Sequence, residues 1–592
     1  MNIVGVSALY HTSACCLLKD GRVVAAAAEE RFTRLKHDAR LPVNAFRYCL
    51  EAGKISISDI DLLAWYEMPA LKHERQVWAS GKNEADFDGA FPESTGFIID
   101  QIRTLMGYEG PVEFFEHHLS HAASAYFFSG FQNAAIFTLD GVGEWATTTY
   151  GRGENLCINL FEEVRFPHSL GLFYSSLTAY LGFTVNDGEY KVMGLAPHGR
   201  LRYVDHLMRM IQVLPEGQYH LALEFFDFIR GETMFSPSLC ELLGNPARKP
   251  GEALSEFHCD VARSLQYVFE EIVVAKVNYL ATRLDSENLC LAGGAALNCV
   301  ANGAILRRSP FRNLFVQPAA GDDGACLGAA ILGYLKKAGG DASPVGLKDV
   351  FLGPAWSDEL IEGLLKRTGF VWQDFRGKDD ALLDEVSGRL VEKQVVGWFH
   401  GAMEFGPRAL GNRSILANPM DPGIRDRLNM MVKKRESFRP FAPSILEKEA
   451  SSFLDLSGPS PYMLLTCQVK STLDLPGITH VDGSARPQTV TRESNGVYCA
   501  LIERFFQKTG CPLLLNTSMN VKDQPIIMSP VDALYCLVEA GLDCLVLGSF
   551  LIDKEGVPPG LEQLLPLAYR SQTVSAEDSR VQSHNIYSFS LG

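Results

Sequence analysis

The chain has 592 residues, 47% of them hydrophobic and 21% charged, and a net charge of −16. That length is too great for one hydrophobic core, so two or three domains are expected. The acidic balance argues against a general nucleic-acid binder, whose affinity rests on Lys and Arg neutralising phosphates, and no uncharged run of about 20 apolar residues is there to span a membrane.

Fourteen cysteines without a C-x-x-C pair give neither the zinc-ribbon spacing nor a disulfide framework. The N-terminus, MNIVGVSALY, starts directly as a strand. It lacks a basic stretch followed by an apolar one, so no signal peptide is expected and the cytoplasm is the default location. Asp20-Gly21 then reads as a hairpin turn between two apolar strands. Residues 133–164 repeat this plan: a strand over Ala134 to Leu139, a turn at Asp140-Gly141, and two more strands in TTTYGRG and CINLFEEV. Two strand-and-hairpin units in one chain predict an internally duplicated α/β domain.

Apolar residues at helical spacing predict one long helix over 256–284. NLCLAGG follows as a buried strand ending in Gly293-Gly294, then AALNCVANGAIL as a helix, NLFVQPAAGDDG as strand and loop, and ACLGAAILGYLKKAGG as a helix. Pro and Gly cluster around 339–355. The domain reading is therefore an N-terminal domain over 1–345, a linker over 346–369, a second α/β domain over 370–565 and a polar tail over 566–592.

Four segments carry chemistry. In EHHLSHAASAY (116–126), His117 and His121 are four apart and share one helix face, half of a metal site. Asp140 ends an apolar strand, and Asp322 and Asp323 precede a helix. A His/His/Asp/Asp set suits iron, manganese or zinc with open positions. The Gly293-Gly294 pair lets backbone approach a phosphate or ribose. Lys191, in GEYKVMGLAPHG, could reach a nucleotide phosphate. Residues 401–450 hold nine Lys or Arg against six Asp or Glu in a strongly acidic protein. Arg residues set among Gly and Pro bends there suit an oxyanion clamp. Arg486, Arg492, Asn516 and Lys522 add to this set.

With the segments AEERFTRLKH, HHLSHAASAYFFSG, GEYKVMGLAPHG, LAGGAALN, GDDGACLGAA, FGPRALGNRSILA, RESFRPFAPS, ARPQTV and LLNTSMN, the chain resembles the NodU/CmcH family of O-carbamoyltransferases over roughly residues 1–560. That group includes enzymes acting on tobramycin, nodulation factors, cephems and macrolactams. The resemblance implies a duplicated ASKHA (actin-like) N-terminal domain and a YrdC-like α/β C-terminal domain. It implies that the latter converts carbamoyl phosphate and ATP to carbamoyl adenylate, and that the former transfers the carbamoyl group to a hydroxyl of a small molecule.

Carried over by position, the metal ligands are His117, His121, Asp140 and Asp322, with Asp322 chosen over Asp323, and the metal is iron. His11 is the candidate general base, with Lys36 beside it at the acceptor site. Lys191, Gly293, Gly294, Asn298 and Asn516 are assigned to the nucleotide. Arg408 is catalytic in the first half-reaction, and Asn412, Lys433, Arg439, Arg486, Arg492 and Lys522 hold carbamoyl phosphate. Lys522 stands where relatives often carry Arg. Magnesium accompanying ATP and a homodimer are left open. So are two other functions, a small-molecule kinase on the ASKHA fold and a tRNA-modifying subunit. No nucleic-acid or membrane partner is expected, and the acceptor is sought among loops around 65–110.

Overall fold

The computed structural model describes residues 1–81, 94–339, 346–432, 436, 438–561, 563 and 565. Lys433, the tail 566–592 and residues 82–93 of the stretch expected to select the acceptor lie outside them. The chain forms two compact units.

The first unit contains two five-stranded sheets. In the first, β1 (Asn2–Ser7), β2 (Ala14–Lys19) and β3 (Arg22–Ala28) form an antiparallel meander, and β4 (Leu62–Trp65) and β5 (Val112–Phe114) continue parallel to β1. Asp20 and Gly21 take φ of 51° and 76°, the left-handed pair that a two-residue hairpin turn requires. The second sheet is built from β6 (Asn133–Leu139), β7 (Ala146–Glu154) and β8 (Cys157–Arg165). Two later strands follow a small hairpin of β9 (Ile211–Val213) and β10 (Tyr219–Leu221); these are β11 (Asn288–Ala292) and β12 (Asn313–Val316).

The two sheets have strand orders β3-β2-β1-β4-β5 and β8-β7-β6-β11-β12. Counted within each repeat, the order is the same, 3-2-1-4-5, with the same strand directions. This is the duplicated ASKHA arrangement. β1 and β6 are central and covered on both faces, which is why they read as continuous apolar runs instead of alternating ones. The long helix Glu256–Arg283 is capped by Ser255 and His258, and its buried Lys276 donates to the carbonyls of Leu214, Glu216 and Gln218.

The second unit is built on one eight-stranded mixed sheet. Its strands are β13 (Gln373–Asp374), β14 (Val396–Phe399), β15 (Arg413–Ala417), β16 (Ala442–Leu446), β19 (Gln488–Val490), β20 (Leu513–Ser518), β21 (Cys544–Leu547) and β22 (Phe550–Asp553), in the order β13-β22-β21-β14-β15-β20-β16-β19. A two-stranded ribbon, β17 (Cys467–Gln468) with β18 (Ser484–Ala485), lies apart. This is the expected α/β class.

Two boundaries differ from the sequence reading. The expected linker 346–369 contains the helix Asp358–Thr368, which buries Ile361 and Leu365 in the core of the second unit. The segment Glu30–Lys36 also belongs to that unit. Arg31 donates to the Gly406 carbonyl at 3.0 Å, and Arg34 to the carbonyls of Pro525 and Ile526 at 2.8 and 2.7 Å. Lys36 is thus on a segment of the second unit, whereas the sequence reading counts it in the N-terminal domain. No described helix is long and apolar enough to cross a membrane.

Candidate metal centre and anion site

Four side chains converge in the first unit. His117 and His121 project from the helix His117–Tyr126, which follows β5. Asp140 follows β6, and Asp322 opens the helix Asp322–Ala338 after β12. The repeat relates these positions. His117 and Asp322 each begin the helix after the fifth strand of their sheet, and His11 and Asp140 each follow the first strand. Ends of parallel strands are where α/β sheets place their ligands, and here both copies contribute to one place.

All four are buried, with one ligand atom from each within 4.8 Å of the others. His117 Nε2 lies 3.1 Å from Asp140 Oδ2 and 3.5 Å from Asp322 Oδ1. His121 Nε2 lies 3.4 Å from Asp322 Oδ1 and 3.7 Å from Asp140 Oδ2. His121 Nε2 and both Asp322 oxygens are sealed from solvent without a hydrogen bond. Buried carboxylate oxygens left unsatisfied are costly, so this donor set fits a bound cation with imidazole and carboxylate ligands. Asp140 Oδ1 accepts from Gly294 N–H at 2.8 Å, which leaves Oδ2 to face the cluster. A Cβ at Gly294 would stand 2.9 Å from that oxygen, and one at Gly293 (φ 95°) 2.3 Å from the Leu139 carbonyl. The glycine pair therefore serves the close approach of backbone to the Asp140 carboxylate.

The charges are mutually balanced. Burial disfavours the His117 imidazolium, but the Asp322 and Asp140 carboxylates, with Glu144 behind them, outweigh it and raise the group from 6.5 to about 9. His121 is raised by the same two carboxylates against its burial. Burial favours the neutral acids, yet the histidines hold Asp140 well below the usual carboxylate range, and His11, His117 and His121 lower Asp322. His118 differs: burial, with His117 and His121 nearby, lowers it to about 3, and its Nδ1 is 2.6 Å from Thr138 Oγ1. His118 is thus a neutral packing residue.

His11 stands at the rim, its side chain 21% exposed and its Nε2 3.3 Å from Asp322 Oδ2. Glu144, which the sequence reading missed, accepts the His117 backbone N–H at 2.9 Å and the Met68 N–H at 2.7 Å. Of the expected nucleotide residues, Lys191 sits 3.9 Å from Asp187. Asn298 caps the helix Cys299–Arg308 through Ala301 N–H and pairs reciprocally with Gln266, so its side chain is committed to structure.

In the second unit the loop 400–413 is held from within. Glu404 Oε1 accepts the N–H groups of Leu410, Asn412 and Arg413. Arg413, fully buried, donates to the carbonyls of His400, Gly401, Asn412 and Pro354 and stacks 3.7 Å from the Phe399 ring centroid. Arg408 sits half-buried on this braced loop.

The clamp expected around Arg408 is only partly assembled. Asn412 is engaged with the Ala402 carbonyl and with Asn495. Arg439 faces Glu436 at 3.6 Å. Arg492 is 67% exposed and paired with Glu503, and Lys522 is exposed, which takes both out of a desolvated pocket. Arg486 is half-buried. Asn516 is buried, its amide nitrogen near the Ala409 carbonyl, Ser444 and Gln488.

The model described as carbamoyltransferase N-terminus matches residues 2–331, and that described as carbamoyltransferase C-terminus matches 387–554. An uncharacterized protein of Synechocystis, sll1178, is 40% identical over 94% of this chain and 97% of its own length. Nodulation protein NolNO of Sinorhizobium fredii is 37% identical over 93% of this chain and 80% of its own length. Nodulation protein NolO of Bradyrhizobium diazoefficiens is 39% identical over 79% and 83%. Matched in both halves and over nearly its whole length, the chain belongs to the carbamoyltransferase family.

Proposed function

We propose that the protein is an ATP-dependent O-carbamoyltransferase that acts in two half-reactions. In the first, carbamoyl phosphate loses inorganic phosphate to water, a carbamate oxygen attacks the α-phosphorus of ATP, and pyrophosphate leaves to give carbamoyl adenylate. Arg408 on its braced loop supplies charge neutralisation to the transferring phosphate. In the second, a hydroxyl of a small-molecule acceptor attacks the carbamoyl carbon, AMP leaves, and His11 takes the hydroxyl proton. His117, His121, Asp140 and Asp322 would hold a divalent cation, iron on the family resemblance, which would supply Lewis-acid polarisation. His11 is suited to its role by position: it is the partly exposed member of a group whose other four are buried, and Asp322 orients its ring.

The observation that carries this reading is the cluster of four buried donors with unsatisfied atoms, in a chain that matches the carbamoyltransferase N-terminal model. The test is incubation with ATP and carbamoyl phosphate. AMP and pyrophosphate support it, and ADP as the nucleotide product overturns it.

A further inference from the structure

Four arginines are buried among the described residues: Arg31, Arg75, Arg248 and Arg413. Three have obvious partners. Arg31 donates to Gly406 and faces Glu30, Arg248 donates to the carbonyls of Leu181, Glu252 and Gly182, and Arg413 donates to four carbonyls.

Arg75 is the exception. It is 3% exposed, its Nε is sealed from solvent, and among the described residues it makes no hydrogen bond or ion pair. Its guanidinium lies over the Phe166 ring, whose centroid is 5.4 Å from Cζ. A cation–π contact offsets only part of the cost of taking a guanidinium out of water. The group with which five fixed donors in a planar fork pair best is a carboxylate, sulfate or phosphate.

The surroundings tie this charge to the proposed acceptor site. Arg75 and Lys72 lie three apart on the helix Pro69–Ser80. Lys72 is paired with Glu67 at 3.0 Å, donates to the Leu9 carbonyl and stands 5.0 Å above the Tyr10 ring. Glu67 is thereby used, and Tyr10, whose phenol burial keeps neutral, is no counter-ion. Tyr10 packs on His11, and His11 touches Asp322. One turn beyond Arg75, Trp78 is 45% exposed and meets Phe166 edge-on. A positive charge without an ion-pair partner among the described residues thus sits two packed side chains from His11, next to an exposed indole.

We propose that Arg75 is a specificity-determining residue, and that the acceptor carries an acidic group which pairs with its guanidinium while the acceptor hydroxyl meets His11. The proposal rests on the carbamoyl-transfer reading for the identity of the ligand, and on the unpaired guanidinium for its charge.

The experiment uses the full chain labelled with 5-fluorotryptophan, the Trp78 fluorine resonance being assigned from Trp78→Phe. Sodium sulfate and D-glucuronate are titrated, with D-glucose as the neutral control. Both anions are expected to shift the Trp78 resonance with half-saturation at about 1–10 mM, D-glucose is expected to leave it in place, and the shift should be lost in Arg75→Gln and weakened at least fivefold in Arg75→Lys. No shift in the wild-type chain at about 50 mM anion overturns the proposal, as does a shift that persists in Arg75→Gln. Should AMP alone reproduce the shift and block D-glucuronate, the anion is the nucleotide phosphate and the acceptor assignment is overturned. AMP and pyrophosphate formation by the wild-type chain is measured in parallel. Its absence removes the carbamoyl-transfer reading, whereas the fluorine shift judges the anion site by itself.

Discussion

Glu144 accepts the backbone N–H of His117, at 2.9 Å. One end of the helix that presents both imidazoles is thereby held by a residue four positions beyond Asp140. The same carboxylate takes the Met68 N–H, so three chain segments meet at one buried side chain, 5% exposed. A carboxylate at a helix N-terminus satisfies an otherwise orphaned donor and favours the helix dipole.

Glu144→Ala is therefore expected to lower divalent-metal affinity by about 10–100-fold, as loss of outer hydrogen-bonding support does at metal sites, and to cost about 1–2 kcal/mol of stability. Glu144→Gln, which keeps an acceptor oxygen, should recover most of both. Competition with a chromophoric chelator measures the first, and urea unfolding the second.

His117→Ala and Arg408→Ala should separate the two half-reactions. Arg408→Ala is expected to abolish pyrophosphate release from ATP and carbamoyl phosphate. His117→Ala should spare pyrophosphate release more than carbamoyl transfer. Equal loss of pyrophosphate release in both variants would contradict the assignment of separate sites.

Metal should remove the loss of stability that His117 otherwise causes as pH rises. In chelated protein the His117 group is raised from 6.5 to about 9, so its contribution is fully present below pH 6.5 and disappears as pH rises through 9. The lowered Asp140 and Asp322 contribute above the ordinary carboxylate range and lose their contribution as pH falls toward their folded values. Chelated protein should then lose on the order of 3 kcal/mol between pH 6.5 and 10 from His117. With metal bound the histidines are neutral ligands, and the loss should vanish. Thermal melts with and without chelator across this range decide the matter.

Gly328 is where the two ligand-bearing helices touch. A Cβ there would lie 1.7 Å from the Ser120 carbonyl, next to His121. Gly328→Ala is expected to destabilise the protein by about 2–3 kcal/mol through overpacking and to weaken metal binding. Gly244, whose Cβ would meet nothing within 4 Å but whose φ is 69°, should on replacement by Ala show only the milder backbone cost of about 1 kcal/mol. Unfolding midpoints of the two variants compare them.

Local chemistry explains which parts of this structure could be read from the sequence. The hairpin at Asp20-Gly21 was legible because the turn needs those residue types. The duplication was legible because the meander recurs around Asp140-Gly141. His117 and His121 could be grouped by helical spacing, and Asp322 could be distinguished from Asp323 only through the family resemblance. The helix Asp358–Thr368 was masked by the Pro and Gly cluster before it, although Ser357, the acidic first turn and Gly369 are ordinary start and stop signals. Asn298 could also have been read as a cap, since it immediately precedes the helix that it caps. Arg413 and Glu404 could not be separated from ligand-binding charges by sequence, because their partners are backbone groups, which every residue has. The same holds for Arg75, whose significance lies in having no hydrogen-bond or ion-pair partner among the described residues.

The repeat that brings four ligands together also divides them. His117 and His121 come from the first copy of the sheet motif, and Asp140 and Asp322 from the second. Neither half owns enough donors to retain an ion by itself, so tight capture can begin only once the two halves have docked in register. Occupancy of the centre then serves as a late checkpoint on assembly of this unit, and a refolding chain should acquire its ion in the final phase and not the first.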